Sequence, residues 1–284
     1  GAQDPLRRPD GGIETEVTPI VMRPWQKWPF VRGICNMAEN LVVGYRCLMR
    51  STDISMTEEE KEESESKFDR WVEQHLGEKG EAILMGVASF AGVALAIALF
   101  LVLPTLLVGG LGKLVPLGGA KTLLEGILKI AILVGYMAAV SRVKEIHRMF
   151  CYHGAEHKTI ACYEAGLPLE VENVRKCRRF HPRCGTSFLL IVILISILAG
   201  ALITTENTLL RIALKLLLLP VVMSVSYEII KLCGRYDNPL TRAVSAPGLW
   251  LQRITTSEPD DGMIECAIAA LKAVIPDDPE ADRW

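Results

Sequence analysis

Four long apolar runs organise the chain: residues 82–108, 123–140, 188–203 and 209–232. Each approaches the roughly 20 residues that a helix needs to cross a hydrocarbon layer. The first holds only apolar and small residues. It ends in a glycine-rich stretch, 109–119, that contains Pro116 and reads as a turn. In the second run Glu125 and Lys129 stand four apart, a spacing at which they can pair on one helix face. The fourth carries Arg211 and Lys215 near its start, and Pro220 predicts a kink. Alternating directions make these runs two hairpins, spanning 82–141 and 188–233.

The remaining pattern is polar or amphipathic. Residues 7–12 read as a turn, and 13–21 alternate as a short strand. Trp25 and Trp28 lie among Arg23, Lys27 and Arg32, which suits a membrane–water interface. Residues 34–49 predict an amphipathic helix, too interrupted by Asn36, Glu39, Asn40 and Arg46 to cross a bilayer. It is expected to lie on the membrane or against the bundle. Residues 1–56 thus form an interfacial segment with no signal-peptide core in the first ten, and 57–81 a strongly acidic connector. In the tail, 234–284, a turn at 236–239 precedes an interfacial segment anchored by Trp250. A helix-start signal at 256–261 then opens a short amphipathic helix over 263–274.

This pattern predicts a mainly α, polytopic membrane protein. It has about four transmembrane helices, a short β/amphipathic N-terminal segment and a helical loop at 142–187. The composition agrees: half the residues are apolar, and the mean hydropathy is +0.28. A net charge of −2 points to no partner, and no DNA partner is expected. The local charge decides the orientation. The 142–187 loop and the tail are rich in Lys and Arg, whereas the other two inter-span loops are poor in them, so the loop and both termini are expected in the cytoplasm. The eight cysteines lack the spacing of a secreted disulfide framework; several flank the histidines on the expected reducing side, and most, Cys184 excepted, read as buried or interfacial thiols.

The loop carries the chemistry. His153, Glu156 and His157 form H-x-x-E-H, and on a helix all three share one face. Two imidazoles four apart can hold one metal ion, and the carboxylate can take a proton from a bound water. Four of the five histidines lie in this loop. A zinc site needs a third protein ligand, and His181 and Cys184, beside the turn-permitting Gly185, are the candidates. Glu164 shares the face of His157 but lies about 10 Å further along an ideal helix. It could join only where the helix breaks, near Gly166. Gly154 and Ala155 permit close approach by another backbone or a substrate, and Thr186 and Ser187 could cap the third span. His147 falls off the shared face. The basic run Arg175, Lys176, Arg178, Arg179 and Arg183 reads first as positive-inside charge. It also suits anionic lipid, a phosphate-bearing substrate, or RNA such as a membrane-docked ribosome.

At these residues the chain resembles the YqhQ-like bacterial membrane proteins, a family of unknown function that carries a metal-dependent-enzyme label. The resemblance rests on residues 152–159 (YHGAEHKT), 181–188 (HPRCGTSF), 246–252 (APGLWLQ) and 258–261 (EPDD). It runs from about Arg23 to about Val274. Only Gly1-Ala2-Gln3 precedes Asp4, so the Gly-Gly-Gln-Ala-Val-Met-Glu-Gly-Val-like opening of the family reads as absent or truncated. The resemblance implies a bacterial inner-membrane location and supports a metal, but it supplies no substrate. The expected function is a zinc-dependent, hydrolase-like enzyme at the cytoplasmic face, acting on a lipid-linked molecule or membrane peptide. The alternative is a non-catalytic factor that docks on the ribosome, the translocon or another membrane complex, with the cluster as a structural staple.

Overall fold

The computed structural model describes residues 2–7, 13–18, 23–55, 86–115, 118, 120–182, 184–236 and 238–275. The acidic connector and Arg183 lie outside them. An antiparallel hairpin comes first, β1 (Ala2–Arg7) with β2 (Ile13–Thr18), in a register that sets Arg7 opposite Ile13. A 3-10 turn at Pro24–Lys27 leads into α1 (Val31–Ser55). The helices that follow are α2 (Gly86–Leu114), α3 (Ala120–Val140), α4 (Lys144–Glu164), α5 (Val171–Lys176), α6 (Gly185–Ala201), α7 (Thr208–Arg235), α8 (Pro239–Thr255) and α9 (Asp261–Val274).

Three of these, α2, α3 and α7, are long and apolar enough to cross a membrane. The remaining expected span, α6, is an apolar helix of 17 residues. The four close a ring: α2 packs on α3, α3 on α6, α6 on α7 and α7 back on α2. Large apolar side chains such as Leu202, Leu209 and Leu217 point outward from it, as helices facing lipid require. Within α2 the hydrogen bonding loosens to a π turn at Ala98–Val102, just before Pro104, which has no N–H to give.

The ring interior is not wholly apolar. Glu125 does not pair with Lys129 one turn along, as the spacing allowed. It reaches across to α7, where Arg211 Nε lies 3.1 Å away and Lys215 also pairs with it. Lys215 further donates to Thr105 Oγ1 of α2 at 2.9 Å, and Arg211 to Thr122 Oγ1 at 2.9 Å and to the Ile203 carbonyl at 3.2 Å. Lys129 donates instead to Ser196 Oγ of α6 at 3.3 Å. The reason is burial: these four charged residues are all buried, so each must find partners from neighbouring helices.

A second layer sits at one end of the ring. There α8 lies over α6 and α7 and drives Leu251 in among Leu133 and Leu190. Beyond it α9 packs on α4 and α5 around Ala155, Cys162, Val174, Ile264 and Ile268, with the hairpin against its outer side. The chain can turn at the end of α4 because Gly166 adopts φ +66, and Leu167 N–H then closes back on the Cys162 carbonyl at 3.1 Å. Asp260 caps α9 through Met263 N, so this helix starts two residues earlier than the apolar pattern indicated.

The segment joining α8 to α9 crosses α4 at Gly154. Ser257 N–H donates to the Phe150 carbonyl at 2.9 Å, and a Cβ on Gly154 would stand 2.0 Å from the Ser257 oxygen. The small residue inside the histidine motif admits another backbone. Gly154→Ala is therefore expected to destabilise the fold by about 1–3 kcal/mol or more, since the obstacle is backbone and not a flexible side chain. Glu125→Ala is expected to cost about 3–5 kcal/mol by leaving buried cations without their carboxylate. Thermal or denaturant unfolding of the detergent-solubilised variants measures both, and wild-type midpoints would contradict these readings.

Candidate metal centre

The site forms where α4 meets the head of α6 and the end of α8. Helical spacing stacks His153 and His157 on one face of α4, their ring centroids 4.4 Å apart. Cys184 is the N-cap of α6. Its Sγ accepts from Thr186 N at 3.4 Å, so the cap is the cysteine, not Thr186 or Ser187 as the sequence suggested. One ligand atom from each of His153, His157 and Cys184 lies within 4.8 Å of the others.

Each histidine is oriented by a backbone carbonyl. His153 Nδ1 lies 2.8 Å from the Thr255 oxygen, and His157 Nδ1 lies 2.6 Å from that of Arg179. A carbonyl only accepts, so Nδ1 carries the proton in both rings and Nε2 is left to face the cysteine. His153 Nε2 stands 3.1 Å from Cys184 Sγ. This is the outer support that metal-bound histidines characteristically have. Neither carbonyl was legible in the sequence, because any residue can supply one.

The electrostatics follow from these contacts. Burial alone would push the Cys184 thiol up, but hydrogen bonds from His153 and His157 outweigh it and hold the thiol at about 5. Burial pulls His153 down, and its contacts with Cys184 and Thr255 more than reverse that, so its pKa lies above the ordinary value. These contacts favour the thiolate at Cys184 and the protonated ring at His153. Elsewhere burial raises Cys151 and Cys162, as expected of packed thiols.

His181 and Glu164, the other candidates, are near but not convergent. His181 Nε2 is 3.3 Å from both Glu164 oxygens, and its ring lies 5.9 Å from that of His157. Because α4 ends at Glu164, the carboxylate turns to His181 and away from the three-residue cluster. Gln252 of α8, which the sequence did not single out, holds His181 in place. Its oxygen accepts from His181 N at 2.8 Å, and its amide donates to the His181 carbonyl at 2.7 Å. Its burial is complete, and only that distinguishes it from an ordinary tail glutamine. Gly248 leaves room for Ser187, whose Oγ would stand 2.4 Å from a Cβ there.

The cluster opens on a cavity of about 600 Å³, lined also by Glu156, Ile160, Tyr163, Glu164, His181, Gly185 and Leu271. Glu156 is exposed, on the same face as both histidines. The basic run is largely engaged within the chain. Arg175 pairs with Asp261 at 2.5 Å, Lys176 with Glu172 at 2.8 Å, and Arg179 with Glu258 at 3.2 Å, while Arg178 is exposed. The buried Lys158 joins this network, reaching Glu258 at 2.7 Å and the Arg175 carbonyl at 2.9 Å.

A bundle of apolar helices beneath a His–His–Cys cluster marks a membrane protein with one chemically equipped end, and the chain belongs to the family described as "Protein of unknown function (DUF1385)", whose model matches residues 28–277. It is similar to the "Uncharacterized protein YqhQ" of Bacillus subtilis (strain 168). The two are 34% identical over 278 residues, which covers 95% of this chain and 85% of the relative. No solved structure matches.

In metal-stripped protein, alkylation of Cys184 by iodoacetamide is expected to stay nearly flat from pH 9 down to about 6. It should then fall about tenfold per pH unit below about 5, because the thiolate is the reacting form. Peptide mass spectrometry follows the site. A rate that declines steadily from pH 9 would show an ordinary thiol.

Proposed function

We propose that this protein is a membrane-embedded, metal-dependent hydrolase, with zinc the best-suited ion. The observation that carries the reading is the convergence of His153, His157 and Cys184 on one point, with both Nδ1 atoms tied to carbonyls, at the wall of an open cavity. Two imidazoles and a thiolate suit zinc, and three protein ligands beside open space are the donor count of a catalytic site, where a structural site would use four. Such an ion lowers the pKa of water and polarises a carbonyl. Glu156, on the cavity wall, receives the proton of the attacking water and returns it to the leaving group. Glu164 and Gln252 hold His181 at the wall of the same space, its Nε2 turned to the Glu164 carboxylate.

The proposed topology has four spans, with α6 as the short one, and places the site and both termini in the cytoplasm of a bacterial inner membrane. The asymmetry of Lys and Arg between loops supports this orientation. The docking alternative has weaker support. Arg175, Lys176 and Arg179, which would meet an anionic lipid or a ribosome, have carboxylate partners within the chain.

Protein purified in detergent and loaded with zinc is expected to hold about one ion per protomer. His153→Ala with His157→Ala, or Cys184→Ser, should lower that to near zero, while Glu156→Gln keeps the ion. Metal uptake should also weaken below neutral pH, because His153 must give up its Nε2 proton. Elemental analysis across a pH series reads both. Equal, near-zero metal in wild type and variants would end the proposal.

A further inference from the structure

Helix α1 is amphipathic the wrong way round for a helix in water. Ile34, Ala38, Leu41, Val42 and Tyr45 recur at the spacing of one helix face, and all five are exposed, Leu41 at 63% and Val42 at 52%. The covered face is the opposite one, through Gly33, Asn36, Val43 and Cys47, where α1 packs on α7 and β1. Just before α1, Trp25, Trp28 and Phe30 are exposed as well, Trp28 at 64%. A soluble helix buries its apolar stripe against its own domain, whereas this one turns the stripe out.

The start of α1 is fastened to α7 at a definite height. A Cβ on Gly33 would stand 3.2 Å from Ser224 Cα. Arg32 Nε donates to Glu228 Oε1 at 2.7 Å, and Phe30 N–H donates to the same oxygen at 3.3 Å. Ser224 and Glu228 lie about 24 and 30 Å along α7 from Thr208, so the attachment falls where a hydrocarbon layer about 30 Å thick comes to an end. Leu217 and Val221, 74% and 56% exposed, precede Ser224 and Glu228 on one face of α7. The outward surface of this long apolar helix thus runs into the docking point of α1. Arg23 and Arg46, both exposed, flank the two apolar patches with cations.

From this height, this continuity and the outward stripe, we infer that α1 is an in-plane membrane anchor. Its apolar stripe, with Trp25, Trp28 and Phe30, is buried in the phospholipid leaflet on the side of the metal centre, at the depth where acyl chains meet headgroups. Tryptophan favours that depth, and arginines beside it meet lipid phosphates. The occupant is lipid and not a protein surface, because the stripe lies at the edge of the hydrocarbon layer and continues the outward face of a span. The pattern of residues 34–49 allowed the membrane or the bundle; α1 uses one face for each.

The test uses the full chain in vesicles of phosphatidylcholine and phosphatidylglycerol. A nitroxide carried on p-acetylphenylalanine replaces Leu41, Tyr45, Leu217 or Arg178 in turn, leaving every cysteine in place. Power-saturation EPR compares collisions with oxygen, which concentrates in lipid, and with a water-soluble nickel chelate. The oxygen-to-nickel ratio at Leu41 and at Tyr45 is expected to exceed that at the exposed Arg178 about threefold or more, and to stay below that at Leu217, about 14 Å along α7. Leu41→Asp with Val42→Asp should bring the Tyr45 ratio down to the Arg178 value. An unchanged Leu217 ratio shows that this variant is still inserted. A water-like ratio at Leu41 and Tyr45 overturns the inference. So does protection from both reagents, which would mean that another segment or a second copy covers the stripe. A Tyr45 ratio unmoved by the two aspartates overturns it too.

Discussion

The crossing of two backbones at Gly154 is the constraint on which the rest of the site depends. The segment after α8 can lie on α4 only because that position lacks a Cβ. Once there, it delivers the Thr255 carbonyl to His153, pairs Ser257 with Phe150, and aims Glu258 at Lys158 and Arg179. A single missing methyl group thus fixes a tautomer, a ring orientation and the docking of the tail. The glycine inside H-x-x-E-H has its explanation in packing, while the histidines on either side of it have theirs in chemistry.

Two layers of different character meet at the cluster. The helical ring has an outer surface of leucines and a charged interior held by four helices. The end layer has a small core of the ordinary soluble kind. Cys184 belongs to the first and His153 and His157 to the second, so the cluster exists only when the layers are docked. Gln252 reinforces the joint. It follows directly on Leu251, which is packed among the ring helices, and its amide closes on the backbone of His181.

Local periodicity made much of this legible in advance. The long apolar runs fixed the helices of the ring, and the i, i+4 spacing put His153, Glu156 and His157 on one face. Cys184 stood out because a glycine follows it at the head of an apolar run. What could not be read was long-range. The carbonyls of Thr255 and Arg179 carry no residue signature. Gln252 looks like any polar residue of an interfacial helix until its burial is known. Glu125 had a partner available one turn along its own helix, yet desolvation made Arg211 and Lys215 of a different helix the better choice. Likewise Arg175 and Arg179 of the basic run looked available for a partner because their carboxylates, Asp261 and Glu258, come from a segment some eighty residues later.

The shortness of α6 has a mechanical consequence. At 17 residues it is about 25 Å long, against a hydrocarbon layer about 30 Å thick, whereas α7 with 28 residues exceeds that thickness. In the proposed topology the bilayer must thin around α6 or draw its ends inward. One of those ends is Cys184. The thiolate is then held at the hydrocarbon boundary, and membrane thickness becomes a variable acting on the distance between the cysteine and the two histidines.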